Sequence, residues 1–131
     1  GDQLVDYEEN LQSKLMTGMG FLQEHAGQQG VMSLRVMTSL DLETLHPRRE
    51  TSVLGHFAEL ELLERWAEGH ETHAAIYEHA IEKKREYGDE RSVVTWHEVF
   101  AMAASTGYEY VNCHEETGIL PYAVSVSVVE R

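Results

Sequence analysis

Cysteine is nearly absent: Cys113 is the single thiol in 131 residues. That excludes an intrachain disulfide and any zinc or iron–sulfur site built from several cysteines, and it is compatible with a reducing, cytoplasmic setting. Basic residues are scarce too, with 10 Lys and Arg against 23 Asp and Glu and a formal net charge of −13. So acidic a surface repels phosphate backbones and anionic headgroups, which makes nucleic acid and membranes poor partners. No apolar run approaches the roughly 18 to 20 residues needed to cross a bilayer, and the N-terminus lacks the basic and apolar regions of a secretory signal. Repeats and low-complexity tracts are missing. Gly1 stands where an initiator methionine would, as expected of a fragment or of a residue left by cloning.

What is present is a globular composition, 42% hydrophobic and 25% charged, of a length that fits one domain, 1–131. Residues 5–25 read as a helix, because Leu11, Leu15, Met19 and Leu22 recur at steps of four, four and three. Gly27 and Gly30 end it. Residues 31–41 and 51–58 suit two strands, with Asp41–Glu50 as the connection. From Glu59 to about Tyr87 a long helix is expected, with Leu63, Trp66, His70, His73, Tyr77 and Ala80 on one face and Gly88–Asp89 as its close. Residues 93–104 and 107–113 read as strands joined by a turn at Ser105–Gly107, and Ala123–Val129 alternates Val with Ser as a further strand does. The order predicts an α+β sheet with helices on one face, similar to a split βαββαβ unit lacking its first, central strand. An upstream segment, a partner chain or the Ala123–Val129 strand folding back would fill that gap.

Eight histidines carry most of the chemical information. HETH at residues 70–73 puts two imidazoles on the apolar helix stripe, where a neutral ring either ligates a metal or haem iron or is satisfied by a hydrogen bond. It is not the HExxH zinc-protease spacing, which needs the histidines a full turn apart. His97 lies in VVTWHEVF; alternation turns Trp96, Glu98 and Phe100 to one side and His97 and Val99 to the other. It is either a hydrogen-bonded core residue or one that looks into a cavity. Cys113–His114 has no third group placed to complete a nucleophilic triad, so strand-end packing is expected. Met16, Met19, Met32 and Met37 read as core filler. Arg65, Lys83, Lys84 and Arg85 alternate with Glu as a solvated face. His25, His46, His56 and His79 have no spacing that singles them out.

The runs LERWAEGHETHAAIY (63–77), TWHEVF (95–100) and EYVNCHEETGIL (109–120), in this order, resemble the C-terminal portion of the haem-containing aldoxime dehydratases, including phenylacetaldoxime dehydratase. GMGFLQEHAGQQGVMSLR (18–35) fits a helix-to-strand segment of the same family, and the likeness covers roughly residues 15 to 120. The resemblance implies a ferredoxin-like fold of the dimeric α+β barrel type, here apparently without its first strand. It implies haem b, ferrous in the active form, with His73 as the axial iron ligand and His97 as the distal acid–base residue. The reaction implied is dehydration of an aldoxime to a nitrile, a carbon–nitrogen lyase activity. The partners implied are a small aldoxime and either a second copy or an upstream half. One imidazole can act first as acid and then as base, since histidine ordinarily titrates near 6.5. Glu71 and Glu115 stand where the family has proline, and the family's distal serine and arginine lie upstream of the matched run. Three other readings compete: a haem-binding module without turnover, a truncated remnant in which both histidines only pack, and a non-haem metal site of His70, His73 and His97.

Overall fold

The computed structural model describes residues 1–129; Glu130 and Arg131, the end of the expected 1–131 domain, lie outside the described residues. The chain opens on a helical rod made of α1 (Asp2–Asp6), a π-helical turn (Tyr7–Leu11) and α2 (Gln12–Glu24), followed by a short α3 (Ala26–Gln29). The expected stripe is the buried one: Leu11, Met19 and Leu22 are buried, and Leu15 packs on the core. The rod begins at Asp2, earlier than the predicted residue 5, and the π turn in its middle is invisible to a 3.6-residue pattern. In an α-helix, residues five apart point about 140° from each other. The wider π turn brings Tyr7 and Gln12 to one acceptor: Tyr7 Oη donates to Thr51 Oγ1 at 2.9 Å and Gln12 Nε2 to the same oxygen at 3.4 Å.

Gly30 ends α3 in the left-handed region, φ 66°, and hands the chain to β1 (Val31–Leu40). The antiparallel partner β2 (Pro47–Phe57) pairs Leu34 with Gly55, Val36 with Val53 and Thr38 with Thr51, with irregularities at Met32 and Ser39. Pro47 opens the strand, a position where its missing N–H breaks no ladder, so β2 starts before the predicted residue 51. The connection is held by Asp41, whose Oδ1 accepts from the backbone N–H groups of Glu43 and Thr44 and whose Oδ2 meets Arg48 at 3.1 Å. The Thr44 and Arg48 hydrogen bonds hold its carboxyl at about 2, far below the ordinary range.

The expected helix Glu59–Tyr87 is two helices, α4 (Leu60–Gly69) and α5 (Glu71–Tyr87), broken at His70, which is extended at φ −99°, ψ 134°. The expected single face of Leu63, Trp66, His70, His73, Tyr77 and Ala80 is therefore interrupted. The core lies where α2, α4 and β1 meet: Met19, Leu22, Val31 and Trp66, with Leu34, Phe57 and Leu63 packed around them. Gly18 is buried where α2 meets α5, facing Ile76, Trp66 and Thr72.

Beyond the 3-10 turn Gly88–Glu90, the expected strands 93–104, 107–113 and Ala123–Val129 do not form among the described residues; the 3-10 turn Leu120–Tyr122 is the one regular element there. A strand satisfies its backbone only through a neighbour. β1 and β2 pair with each other as a two-stranded sheet, and among the described residues no third strand joins them. The turn between the first two segments is nevertheless made, as Thr106 N–H donates to the Ala103 carbonyl at 2.9 Å. The α+β assignment holds, with helices packed on a sheet that is only part of a ferredoxin-like one. No helix among the described residues is long and apolar enough to cross a membrane.

Candidate functional site

The junction between α4 and α5 positions the HETH histidines, and it gives them different tasks. His70 is the N-cap of α5: its Nδ1 accepts from the Thr72 N–H at 3.3 Å and contacts Thr72 Oγ1 at 2.9 Å. Trp66 Nε1, which can only donate, donates to the same Thr72 Oγ1 at 3.1 Å. The hydroxyl hydrogen of Thr72 is therefore directed to His70 Nδ1, an assignment that leaves the ring proton on Nε2. The His70 ring also stacks on Phe21, centroids 3.8 Å apart, and Phe21 stacks on His25 at 4.6 Å. Capping and stacking absorb His70 completely.

His73 lies one helical turn further in, half-buried, with its ring edge-on to Trp66 at 4.9 Å and 67°. Trp66 is 6% exposed and pinned by Thr72, so it offers His73 a rigid wall. Neither ring nitrogen of His73 has a hydrogen-bond partner among the described residues, in contrast to His70. The ring borders a wide concavity whose apolar lining includes Leu15, Leu34, Phe57, Leu63, Ile76 and Ala80. His73 itself is half-exposed on that side. A half-buried imidazole with free nitrogens, a rigid aromatic beside it and apolar surface around it fits the axial side of a haem site.

His97 borders the same concavity but is exposed, and it makes no hydrogen bond, ion pair or ring contact among the described residues. Its neighbours Trp96 and Phe100 are 76% and 77% exposed, so the buried strand expected around it is absent. The structure does not bring His97 into contact with His73. Nor do His70, His73 and His97 form a metal site: among the described residues no group of three or more His, Cys, Asp or Glu side chains could hold a metal ion. Cys113 is exposed, and His114 Nδ1 accepts from the Glu116 N–H at 3.2 Å, a local turn rather than a triad.

One buried polar cluster escaped the sequence reading. His79, 8% exposed, meets Asp6 at 2.9 Å, and Lys83 lies 3.6 Å from the same carboxylate. Burial pushes the Asp6 carboxyl up, but hydrogen bonds from His79 and Asn10 and the charges of His79 and Lys83 together outweigh it and hold it below the usual value. Lys83, read as solvated, is half-buried; its hydrogen bond to Glu86 pushes its ammonium up against the opposing effect of burial. The sequence separation of 73 between Asp6 and His79 leaves no local signal for this pair.

The haem-containing dehydratase family profile matches residues 2–119. An aliphatic aldoxime dehydratase of Rhodococcus erythropolis is 33% identical over 127 residues, covering 96% of this chain and 35% of the relative. A phenylacetaldoxime dehydratase of Bacillus sp. (strain OxB-1) is 34% identical over 107 residues, covering 78% and 29%. Among solved structures, a crystal structure of an aldoxime dehydratase in complex with butyraldoxime matches with a TM-score of 0.68 and 25% identity, over 96% of this chain and 34% of that one. The chain spans about a third of the length of the curated relatives it matches.

Proposed function

This chain belongs to the haem-containing dehydratase family, and from that premise we propose that it serves the dehydration of aldoximes to nitriles, supplying the axial haem ligand His73 and the acid–base residue His97. The observation that carries the reading is the state of His73: a half-buried imidazole braced by Trp66, with no hydrogen-bond partner for either nitrogen among the described residues, bordering a wide open space lined in part by apolar side chains. His73 would hold haem b, which when bound supplies an iron centre that takes the oxime nitrogen and weakens its N–O bond. His97 would donate a proton to the departing hydroxyl, which then leaves as water. The same imidazole, now neutral, would accept the proton from the oxime carbon as that C–H electron pair becomes the new carbon–nitrogen bond. The substrate class is a small aldoxime, aliphatic or aryl. The whole 1–131 stretch acts in the cytoplasm as one α+β unit, within a longer, complemented or dimeric assembly.

The exposure of His97 favours a second reading for the chain on its own: haem binding through His73 without turnover. The test is haem titration of the reduced protein followed by absorbance, with nitrile formation from butyraldoxime and phenylacetaldoxime measured alongside. Under the dehydratase reading His73→Ala abolishes the histidine-bound haem spectrum, while His97→Ala keeps it and loses at least about 100-fold of turnover. A haem spectrum without nitrile selects the second reading. Undiminished turnover in His97→Ala removes His97 from the reaction.

A further inference from the structure

In an unbroken α-helix, residues seven apart are separated by about 10.5 Å along the axis, and both side chains lean toward the N-terminus. Trp66 and His73 on such a helix would share a face but stand out of contact. The extended backbone of His70 resets the course of the chain between α4 and α5, and the two rings come to 4.9 Å, steeply inclined at 67°. Thr72 fixes the indole in that place. Trp66 Nε1 donates to Thr72 Oγ1 at 3.1 Å, and the hydroxyl hydrogen is passed on to His70 Nδ1 at 2.9 Å. His70 is held in turn by the Phe21 ring of α2, centroids 3.8 Å apart. The remainder of the indole packs in the core with Met19, Leu22 and Val31. A run of contacts therefore leads from α2 through His70 and Thr72 to the surface on which His73 rests. Metal-ligating histidines are ordinarily oriented by a hydrogen bond from the second ring nitrogen. His73 has none among the described residues, which leaves its orientation to packing against Trp66.

We propose that Thr72 is a positioning residue for His73: its hydroxyl, through Trp66, sets the direction in which the imidazole presents its nitrogens. The use of that orientation for haem rests on the axial-ligand reading above, whereas the orientation itself is a property of the haem-free chain. Its size can be bounded. A helix leaves an unrestrained histidine about two χ1 wells and two χ2 wells. Released from the indole, the ring would hold the competent setting about a quarter of the time, and affinity for haem would fall by that fraction, about fourfold.

The test compares Thr72→Val, which keeps the branched shape and removes the hydroxyl, with Thr72→Ser, which keeps the hydroxyl. In the haem-free chain, three-bond NMR couplings of His73 read its rotamer populations directly. Wild type should show one rotamer, Thr72→Val a mixture, and Thr72→Ser one rotamer again, with the helical circular dichroism of all three alike. Haem titration of the reduced chains should give about fourfold weaker binding in Thr72→Val and recovery in Thr72→Ser. The iron–histidine stretching band, by resonance Raman, should broaden in Thr72→Val alone. A single His73 rotamer in folded Thr72→Val overturns the proposal, as does haem bound through His73 equally tightly with and without the hydroxyl. Should Thr72→Val not fold, Trp66→Phe removes the same hydrogen bond while keeping a ring in the core, and an unmixed His73 rotamer there overturns it too. The two claims fail separately. Mixed rotamers in Thr72→Val with no haem bound through His73 in any chain would sink the axial-ligand reading and leave the positioning role standing.

Discussion

Residues 2–87 and residues 91–129 have similar hydrophobic patterning and opposite outcomes. In the first region the main helix stripe meets another within the chain, the α2 stripe lying on Trp66 and Val31, and the β1–β2 hairpin satisfies its own ladder. In the second, the alternation of VVTWHEVF and AVSVSVV is at least as regular, yet the side chains stay in solvent and no strand forms. The difference is availability of a partner. Helices satisfy their backbones alone, whereas a strand is half an interaction.

That contrast can be broken most sharply by truncating aromatics in both regions. Trp66→Ala removes a buried indole together with its hydrogen bond to Thr72 and should cost about 3–5 kcal/mol in urea unfolding. Trp96→Ala should change stability by no more than about 0.5 kcal/mol, as exposed substitutions do. Equal losses would erase the distinction between the regions.

Next in size is the Asp6–His79 pair, which ties α1 to α5. Asp6→Asn should cost about 1.5–3 kcal/mol, the range for hydrogen bonds to charged groups, measured by the same unfolding curves. Its pH dependence has a definite sign. The folded carboxyl lies below the unfolded value of 3.8, so the stabilisation is fully present above 3.8 and is lost as pH falls through the folded value. Wild type and Asp6→Asn should therefore converge in stability below that window, and parallel curves there would remove Asp6 as the cause.

A smaller effect belongs to Gly30. Its left-handed backbone makes Gly30→Ala cost about 1–2 kcal/mol, with Leu62 forced to move because its side chain occupies the space a Cβ would take. The smallest is at Asp41, an exposed group: carbon-detected NMR titration should show its carboxylate ionised down to about pH 2. A normal titration would mean the Asp41 turn is open in solution.

Legibility in the sequence follows the range of each interaction. The Leu11–Leu22 stripe and the hairpin rest on local periodicity and were readable, to within a few residues at the ends. The break at His70 was not, because the apolar period runs on through it; Gly69, a poor helix former, was the local signal, and the extended backbone of His70, capped onto Thr72, completes the stop. A clue lay in the resemblance, which implies proline at the position of Glu71. It is the first residue of α5, the helical site proline favours. Identical residue types thus diverge by position: His70 is consumed as a cap, and His73, three residues on, is left free. The Asp6–His79 contact joins positions 73 apart in sequence, and the pairing of 93–113 depends on a neighbouring strand, so no local window of sequence could contain either. His73 and His97 were singled out by family resemblance together with helix and strand placement. His73 is half-buried beside Trp66, which is compatible with the role proposed for it, whereas His97 lacks the buried strand expected around it.

Haem titration of the reduced protein, followed by its absorption spectrum in wild type and His73→Ala, addresses the role of His73 most directly. A histidine-ligated haem band in wild type that vanishes in His73→Ala while persisting in His97→Ala is the expected result. A band unchanged by His73→Ala would contradict it.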